Sequence, residues 1–454
     1  MARHFRSPGM PAAQMFLMPP CLDDFVPQDA TVRVLAEIVA SMDLRVLEMS
    51  APQRGAPAYS PRLLFGVLVF AYSEGLRSSR RIETATRYDM RYMWLSEMTP
   101  LDHVTLCRFR RKNEAVFLQL FKETVKLCQS LGLVLLKEAA VDGTKLEANV
   151  SGKHTYGEKR LAEEEARLDG VIQKLLLEAE QTDAQEERSG GGGGSAEVPE
   201  DLRDAKRRRE RLREVRKQMQ ESGRKTVAAT DPESRVMPVH GRKRAAYNAQ
   251  AVVDGGFQVI TAADVVSEET DNHELAPMMK QAIANTDAVP QQTLADSGYW
   301  SQESLSWAEQ NVPDAYIQEA KKKVDAHADY CYDSERDIFV GADGRELRYW
   351  ATRQKDGRHY RVYRTRGKPK KELWVRLDAE LTLAMREKLA TEDGRRIYGR
   401  RRAIVEPVFG HMKVAYGLRR LLLRGLSGAR IEFLLACIAH NLGKVRVYAP
   451  CLQQ

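Results

Sequence analysis

From Ser60 to about residue 130 the apolar positions fall at helical spacing. Ser60 stands as a cap before Pro61, and Leu63, Leu64, Val67, Leu68 and Ala71 share a face until Gly75 closes the segment. Ser79 begins a second segment, "RRIETATRYDM". After "EMTPLDHVT", where Asp102 is available as a cap, comes "LCRFRRKN", and an amphipathic stretch through Phe117, Phe121, Val125 and Leu131 follows. The texture changes at residue 139. "AAVDGTKLEANVS" is strand-like, and "AAYNAQAVVDGGFQVITAADVVS" reads as two strands joined at Asp254-Gly255-Gly256. A helix ("NHELAPMMKQAIANT"), a strand entering "TLADSGYW", a helix ("SQESLSWAEQN") and a short strand ("AYIQ") complete the series. This order predicts an α/β fold.

Two segments interrupt that order. Residues 157–222 carry Leu161, Leu168, Ile172, Leu175 and Ala179 on one helical face, and Leu202, Ala205, Leu212, Val215 and Met219 on another. With "SGGGGGS" between them, they predict a charged helical hairpin. Residues 325–392 are rich in Asp, Arg, Lys and Tyr, with strand-like pieces such as "RHYRVYR", and read as a small polar insertion.

A chain of 454 residues has room for two or three domains. Its 71 Lys and Arg against 63 Asp and Glu leave a basic excess, which attracts polyanions but is common in ordinary proteins. The excess is concentrated locally. "KRRRERLREVRK" holds eight basic residues in twelve, and suits either a phosphate backbone or the solvated face of a coiled coil. Arg108, Arg110, Arg111 and Lys112 lie among short helices separated by tight turns, a pattern shared by helix-turn-helix DNA readers and by small bundles with a basic face. The longest apolar runs fall short of the roughly 20 residues that span a bilayer. With no apolar signal core and no C-x-x-C pair, the expectation is a cytoplasmic chain in a reducing compartment, away from membranes.

Two acids interrupt apolar strand runs, Asp142 after "AAV" and Asp296 after "TLA". Ligands of α/β sheets gather at such edges, although Asp-Gly and Asp-Ser-Gly are also turn signals. A third acid, Glu406, sits in "GRRRAIVEPVFGHMK" among cations. Tyr398, Arg402 and Glu406 recur every four residues, and Lys413 lies near the same face. An Arg402–Glu406 surface pair is the plain reading. Pro407 opposes it, because a proline within a helix needs a local reason or marks a new start.

Taken in order, "AAVDGTKLEANVS", "LADSGYW" and "YGRRRAIVEPVFGHMK" resemble bacterial insertion-sequence transposases of the DDE type. The resemblance implies an RNase H-like catalytic domain that begins at 136–156, continues through 223–324 and closes with a helical part at 393–454. It implies a helical DNA-binding region at 1–135, with the 157–222 hairpin and the 325–392 segment as insertions. By the same resemblance Asp142, Asp296 and Glu406 bind two magnesium or manganese ions. Tyr398, Lys413 and either Arg401 or Arg402 then contact DNA phosphates, as do Arg108, Arg110, Arg111 and Lys112. The implied activity is binding of terminal inverted repeats in double-stranded DNA, cleavage, and joining of 3′ ends to target DNA, by a homodimer at the bacterial nucleoid. Two alternatives stay open: a related nuclease that cuts without joining, and a transposase-derived DNA-binding protein without catalysis.

Overall fold

A computed structural model describes residues 21–49, 59–151, 154–188, 200–319, 330–333, 336–355, 358–366, 370–376 and 379–452. The "SGGGGGS" break lies outside them. The described residues begin with a 3-10 turn (Leu22–Phe25), followed before the first strand by α1 (Thr31–Ser41), α2 (Arg45–Met49), α3 (Pro61–Ser73), α4 (Ser79–Tyr88), α5 (Met90–Leu95), α6 (His103–Lys112) and α7 (Glu114–Ser130). α3 begins at Pro61, where a missing N–H removes no helical bond. α6 begins where the Asp102 carboxylate accepts the Thr105 N–H at 2.8 Å.

Strand β1 (Glu138–Glu147) follows, then β2 (Thr155–Gly157), α8 (Glu158–Arg188), α9 (Glu200–Ser222) and β3 (Thr226–Ala228). The central part continues with β4 (Arg235–Val239), β5 (Arg242–Asp254), β6 (Ile260–Val266), α10 (Leu275–Thr286), β7 (Gln292–Ala295), α11 (Gln302–Asn311) and β8 (Ala315–Ile317). Beyond it come β9 (Tyr330–Asp333), β10 (Ile338–Gly341), β11 (Glu346–Lys355), β12 (Arg358–Thr365), β13 (Glu372–Arg376), α12 (Ala379–Ala390), α13 (Glu392–Val414) and α14 (Gly425–Leu452).

The main sheet runs β4-β5-β1-β7-β8, and β6 also pairs with β5. β5 lies antiparallel to β1 and β6, whereas β1, β7 and β8 are mutually parallel. Parallel neighbours need a long crossover, which α10 and α11 supply. Alternate side chains leave opposite faces of each strand. Ala140, Leu146, Ala251 and Leu294 therefore join one core with α13, α14 and the N-terminal helices, while Ala139, Val141, Val252 and Ala295 join another with α10 and α11. α14 is buried along Ile431–Leu442 and packs between α3, α7 and β6.

The helical hairpin is present: α8 and α9 zip together through Leu161, Leu168, Leu212, Val215 and Met219, seated on Tyr156 of β2 and Val227 of β3. The second insertion contains an antiparallel sheet, β13-β12-β11-β10-β9, around Phe339, Leu347, Tyr363, Leu373 and Val375. Among the described residues no helix is long and apolar enough to cross a membrane.

Candidate active site

The parallel pairing of β1 with β7 ends at Val141 opposite Ala295, so the next residue on each chain is an aspartate. Asp142 does not end its strand: β1 continues to Glu147 beside β5, with Asp142 opposite Ala251. It lies where β1 outruns β7, a notch that exposes one side of the strand. Its Oδ1 accepts the Gly143 N–H at 2.8 Å, and its Oδ2 accepts Arg401 Nη1 at 3.0 Å. Asp296 turns out of β7 and caps a short turn, Ser297–Tyr299, by accepting the Gly298 N–H at 2.8 Å.

Burial raises the Asp142 carboxyl to about 6, the Arg401 charge opposes the rise, and Asp296 adds to it.

A third acid belongs to this neighbourhood and has no distinguishing mark in the sequence. Asp271, in the loop between β6 and α10, accepts from Gln250 Nε2 at 2.6 Å and Asn248 Nδ2 at 2.5 Å, and pairs with Lys145 at 3.4 Å. A side chain at position 143 would place its Cβ 3.0 Å from Asp271 Oδ1, and one at 298 would place it 2.9 Å from Asp271 Oδ2. Gly143 and Gly298 therefore let the acidic loop close on both strand ends. Behind it, the buried Tyr299 hydroxyl donates to Gln250 Oε1. "SEETDNHEL" looks from sequence like an ordinary polar approach to a helix, which is why Asp271 was not singled out.

α13 crosses this notch. Its buried stripe is Arg401, Ile404, Val405, Val408 and Met412, so Arg401 points inward. It is 8% exposed and pairs with Asp142, whereas Arg402, the other arginine expected at DNA, is exposed. Half-buried Tyr398 lies within the influence of Arg401 and Asp296, and half-buried Lys413 within that of Asp142. Arg401 and Lys413 bracket Glu406 in sequence and both lie near Asp142, so the helix segment carrying Glu406 passes over the notch where β7 ends beside β1. Glu406 itself is turned outward, 63% exposed and 3.8 Å from Arg402. Arg400 completes the run by binding Glu138 at 2.7 Å.

Among the described residues the group of three metal-ligand types within 4.8 Å of one another is Glu83, Asp102 and His103, not Asp142, Asp296 and Glu406. Glu83 and Asp102 have other work in the N-terminal helices. Glu83 accepts the His103 N–H and approaches His103 Nδ1 at 2.6 Å, while Asp102 caps α6.

The basic residues of α6 divide. Arg108, Arg111 and Lys112 are exposed, but Arg110 is only 2% exposed and donates to Tyr72 Oη, the Arg77 carbonyl and Ser79 Oγ. Enclosed with these partners, the Arg110 guanidinium ties α6 to α3 and α4.

Two family models match the chain. A transposase domain, DUF772, covers residues 20–112, which includes α1–α6, and a transposase DDE domain covers residues 359–446, which includes α13 and most of α14. Tyr398, Glu406 and Lys413 lie inside the second match, and Asp142 and Asp296 lie between the two. No curated protein matches the chain.

Proposed function

We propose, from the two transposase domains matched at residues 20–112 and 359–446, that the chain is an insertion-sequence transposase of the DDE type, which cleaves DNA at the ends of its element and joins the freed 3′ ends to a target. The observation that carries this reading is the notch between β1 and β7. Two carboxylates stand side by side there under a helix that brings Arg401 and Lys413 to Asp142 from either side of Glu406.

The donor set fits a divalent metal. Asp142 and Asp296 offer hard oxygen atoms, which magnesium and manganese prefer, and the Asp142 carboxylate, disfavoured chiefly by burial and further by Asp296, is one that a bound cation would stabilise. Asp142 and Asp296 would hold the ions, with Glu406 as the third acid. When bound, such ions supply Lewis-acid activation of the attacking oxygen and stabilise the leaving oxygen of the phosphodiester.

The chain's own residues prepare that site. The Gly143 N–H and Arg401 fix the two oxygens of Asp142, and the Gly298 N–H fixes Asp296. Glu406 gives up only an exposed pair with Arg402, an interaction worth about 0–1 kcal/mol, when it turns to the notch. Arg402 is then free to meet a DNA phosphate beside Tyr398 and Lys413. Arg108, Arg111 and Lys112 present a second basic surface on α6 for element-end DNA. The β6-β5-β1-β7-β8 strand order, antiparallel and then parallel, supports an RNase H-like core. Processing both element ends together calls for a homodimer on DNA.

The test substitutes Asp142→Asn, Asp296→Asn and Glu406→Gln one at a time. Each variant is expected to lose magnesium-dependent cleavage of element-end DNA while retaining its binding in a mobility shift. Full-rate cutting by any of them would remove that residue from the site. Precut ends should be joined to target by the unsubstituted chain; cleavage without joining would identify a nuclease instead.

A further inference from the structure

α13 runs without interruption from Glu392 to Val414 although Pro407 lies inside it. A proline within a helix supplies no N–H to the carbonyl four residues earlier, and its ring pushes that carbonyl outward. Here that group is the Ala403 carbonyl. It is met from outside the helix: the Gln258 side-chain amide donates to it at 3.0 Å.

Gln258 is an unexpected residue for its place. It closes the hairpin between β5 and β6 at a φ of 60°, a left-handed conformation in which glycine is favoured. Its other groups are also engaged. Lys444 of α14 donates to its Oε1 at 3.2 Å, and His440 Nε2 approaches its backbone carbonyl at 2.9 Å. Since a carbonyl only accepts, Nε2 is the protonated nitrogen of His440. The hairpin is thus pinned to α14 on one side, and its amide reaches the single backbone acceptor that Pro407 leaves open on α13, one turn before Glu406.

We propose that Gln258 is a positioning residue for Glu406: it takes the place of the helical hydrogen bond lost at Pro407 and so sets how α13 crosses the β1–β7 notch. Pro407 and Gln258 act as one unit, in which the proline removes an internal donor and the hairpin supplies an external one. A helix with its own complete ladder would need no such partner. With the donor on the sheet side, the orientation of the Glu406 turn depends on the same hairpin that carries β5, the neighbour of β1. The inference rests on the reading of Glu406 as a site acid.

The experiment uses the full chain with Gln258→Glu, with Pro407→Ala and with both. Glutamate keeps the shape and an acceptor for Lys444, but cannot donate to Ala403. At saturating DNA and magnesium, Gln258→Glu is expected to lower kcat about tenfold, because small misplacement of a reacting group is costly. KM for element-end DNA should stay within about twofold, as expected when ground-state binding is untouched. Adding Pro407→Ala restores an N–H to the helix, and the double variant should recover most of the lost rate. Urea midpoints of the three variants distinguish this from a general gain in helix stability: the rate should recover in the double variant at temperatures where Gln258→Glu alone is fully folded. Full-rate cleavage by Gln258→Glu, or no recovery in the double variant, would overturn the proposal. Amide hydrogen exchange in α13 separates the two inferences: faster exchange near residues 403–411 in Gln258→Glu, in a chain whose parent does not cleave, refutes the role of Glu406 and keeps the latch.

Discussion

Three consecutive arginines on α13 meet three different acids: Arg400 pairs with Glu138, Arg401 with Asp142 and Arg402 with Glu406. Successive helical residues step about 100° around the axis, so neighbours in sequence fan out toward different surroundings. Their energetic weights should differ accordingly. Arg401→Met leaves Asp142 without its cation in a largely enclosed position and is expected to cost about 3 kcal/mol, whereas Arg402→Ala should cost under about 0.5 kcal/mol; urea denaturation of the two variants measures both. The helix and its acid were legible from the spacing of Tyr398, Arg402 and Glu406, but the rotation was not. Packing turns the Arg401, Ile404, Val405 and Val408 stripe inward, and that choice depends on the sheet beneath. His440 is buried within α14. Burial holds its pKa down to about 3, below the 6.5 of an exposed imidazole. The unfolded chain therefore takes the proton first, and this contribution to stability is complete above pH 6.5 and declines as pH falls toward 3. Urea midpoints at a series of pH values should fall more steeply on acidification for the parent than for His440→Gln.

At the scale of elements, the segment between α13 and α14 is held by one buried pair. Arg77, from the turn between α3 and α4, binds Glu432 of α14, and its other nitrogen donates to the carbonyls of Gly417 and Arg420 at 2.6 and 3.0 Å. The second oxygen of Glu432 accepts the N–H groups of Leu422 and Leu423 at 2.8 and 3.0 Å. The same segment bonds to the backbone of Glu147, at the end of β1. Glu432→Leu strands a buried cation and is expected to destabilise by about 3–5 kcal/mol, whereas Arg77→Met with Glu432→Leu should recover a large part of it; thermal or urea unfolding of the single and double variants tests this. None of this was visible in the sequence, where Arg77 and Glu432 are 355 residues apart and neither belongs to a motif. Elements with a clear period fared better. The β5–β6 hairpin, α10, β7, α11 and β8 fall where alternation and turn residues place them. α1 did not announce itself, because its cap position is Ala30 rather than a polar residue.

Across the whole molecule, the charged hairpin stands on a narrow base. β2 and β3 pair through Thr155–Gly157 and Thr226–Ala228, and the Ala229 N–H donates to the His154 carbonyl at 2.8 Å. Its seam is filled by its own residues and these two strands. Excision of residues 158–222, with Gly157 joined to Gly223, should shift the melting temperature by less than about 5 °C, since the main core loses little buried surface. A larger fall would mean that the hairpin braces the sheet.

The main core has no such seam. Side chains from α1, α3, α7, the sheet, α13 and α14 form one continuous apolar body, and α14 lies at its middle. During synthesis the helices that read as a DNA-binding unit and the strands that lead to the aspartates emerge more than a hundred residues before the helix they share. Until residues 425–452 leave the ribosome, both must wait with apolar faces uncovered, in need of a chaperone's shelter. A nascent chain interrupted before that point would possess every acidic residue of the notch and no means of holding them together.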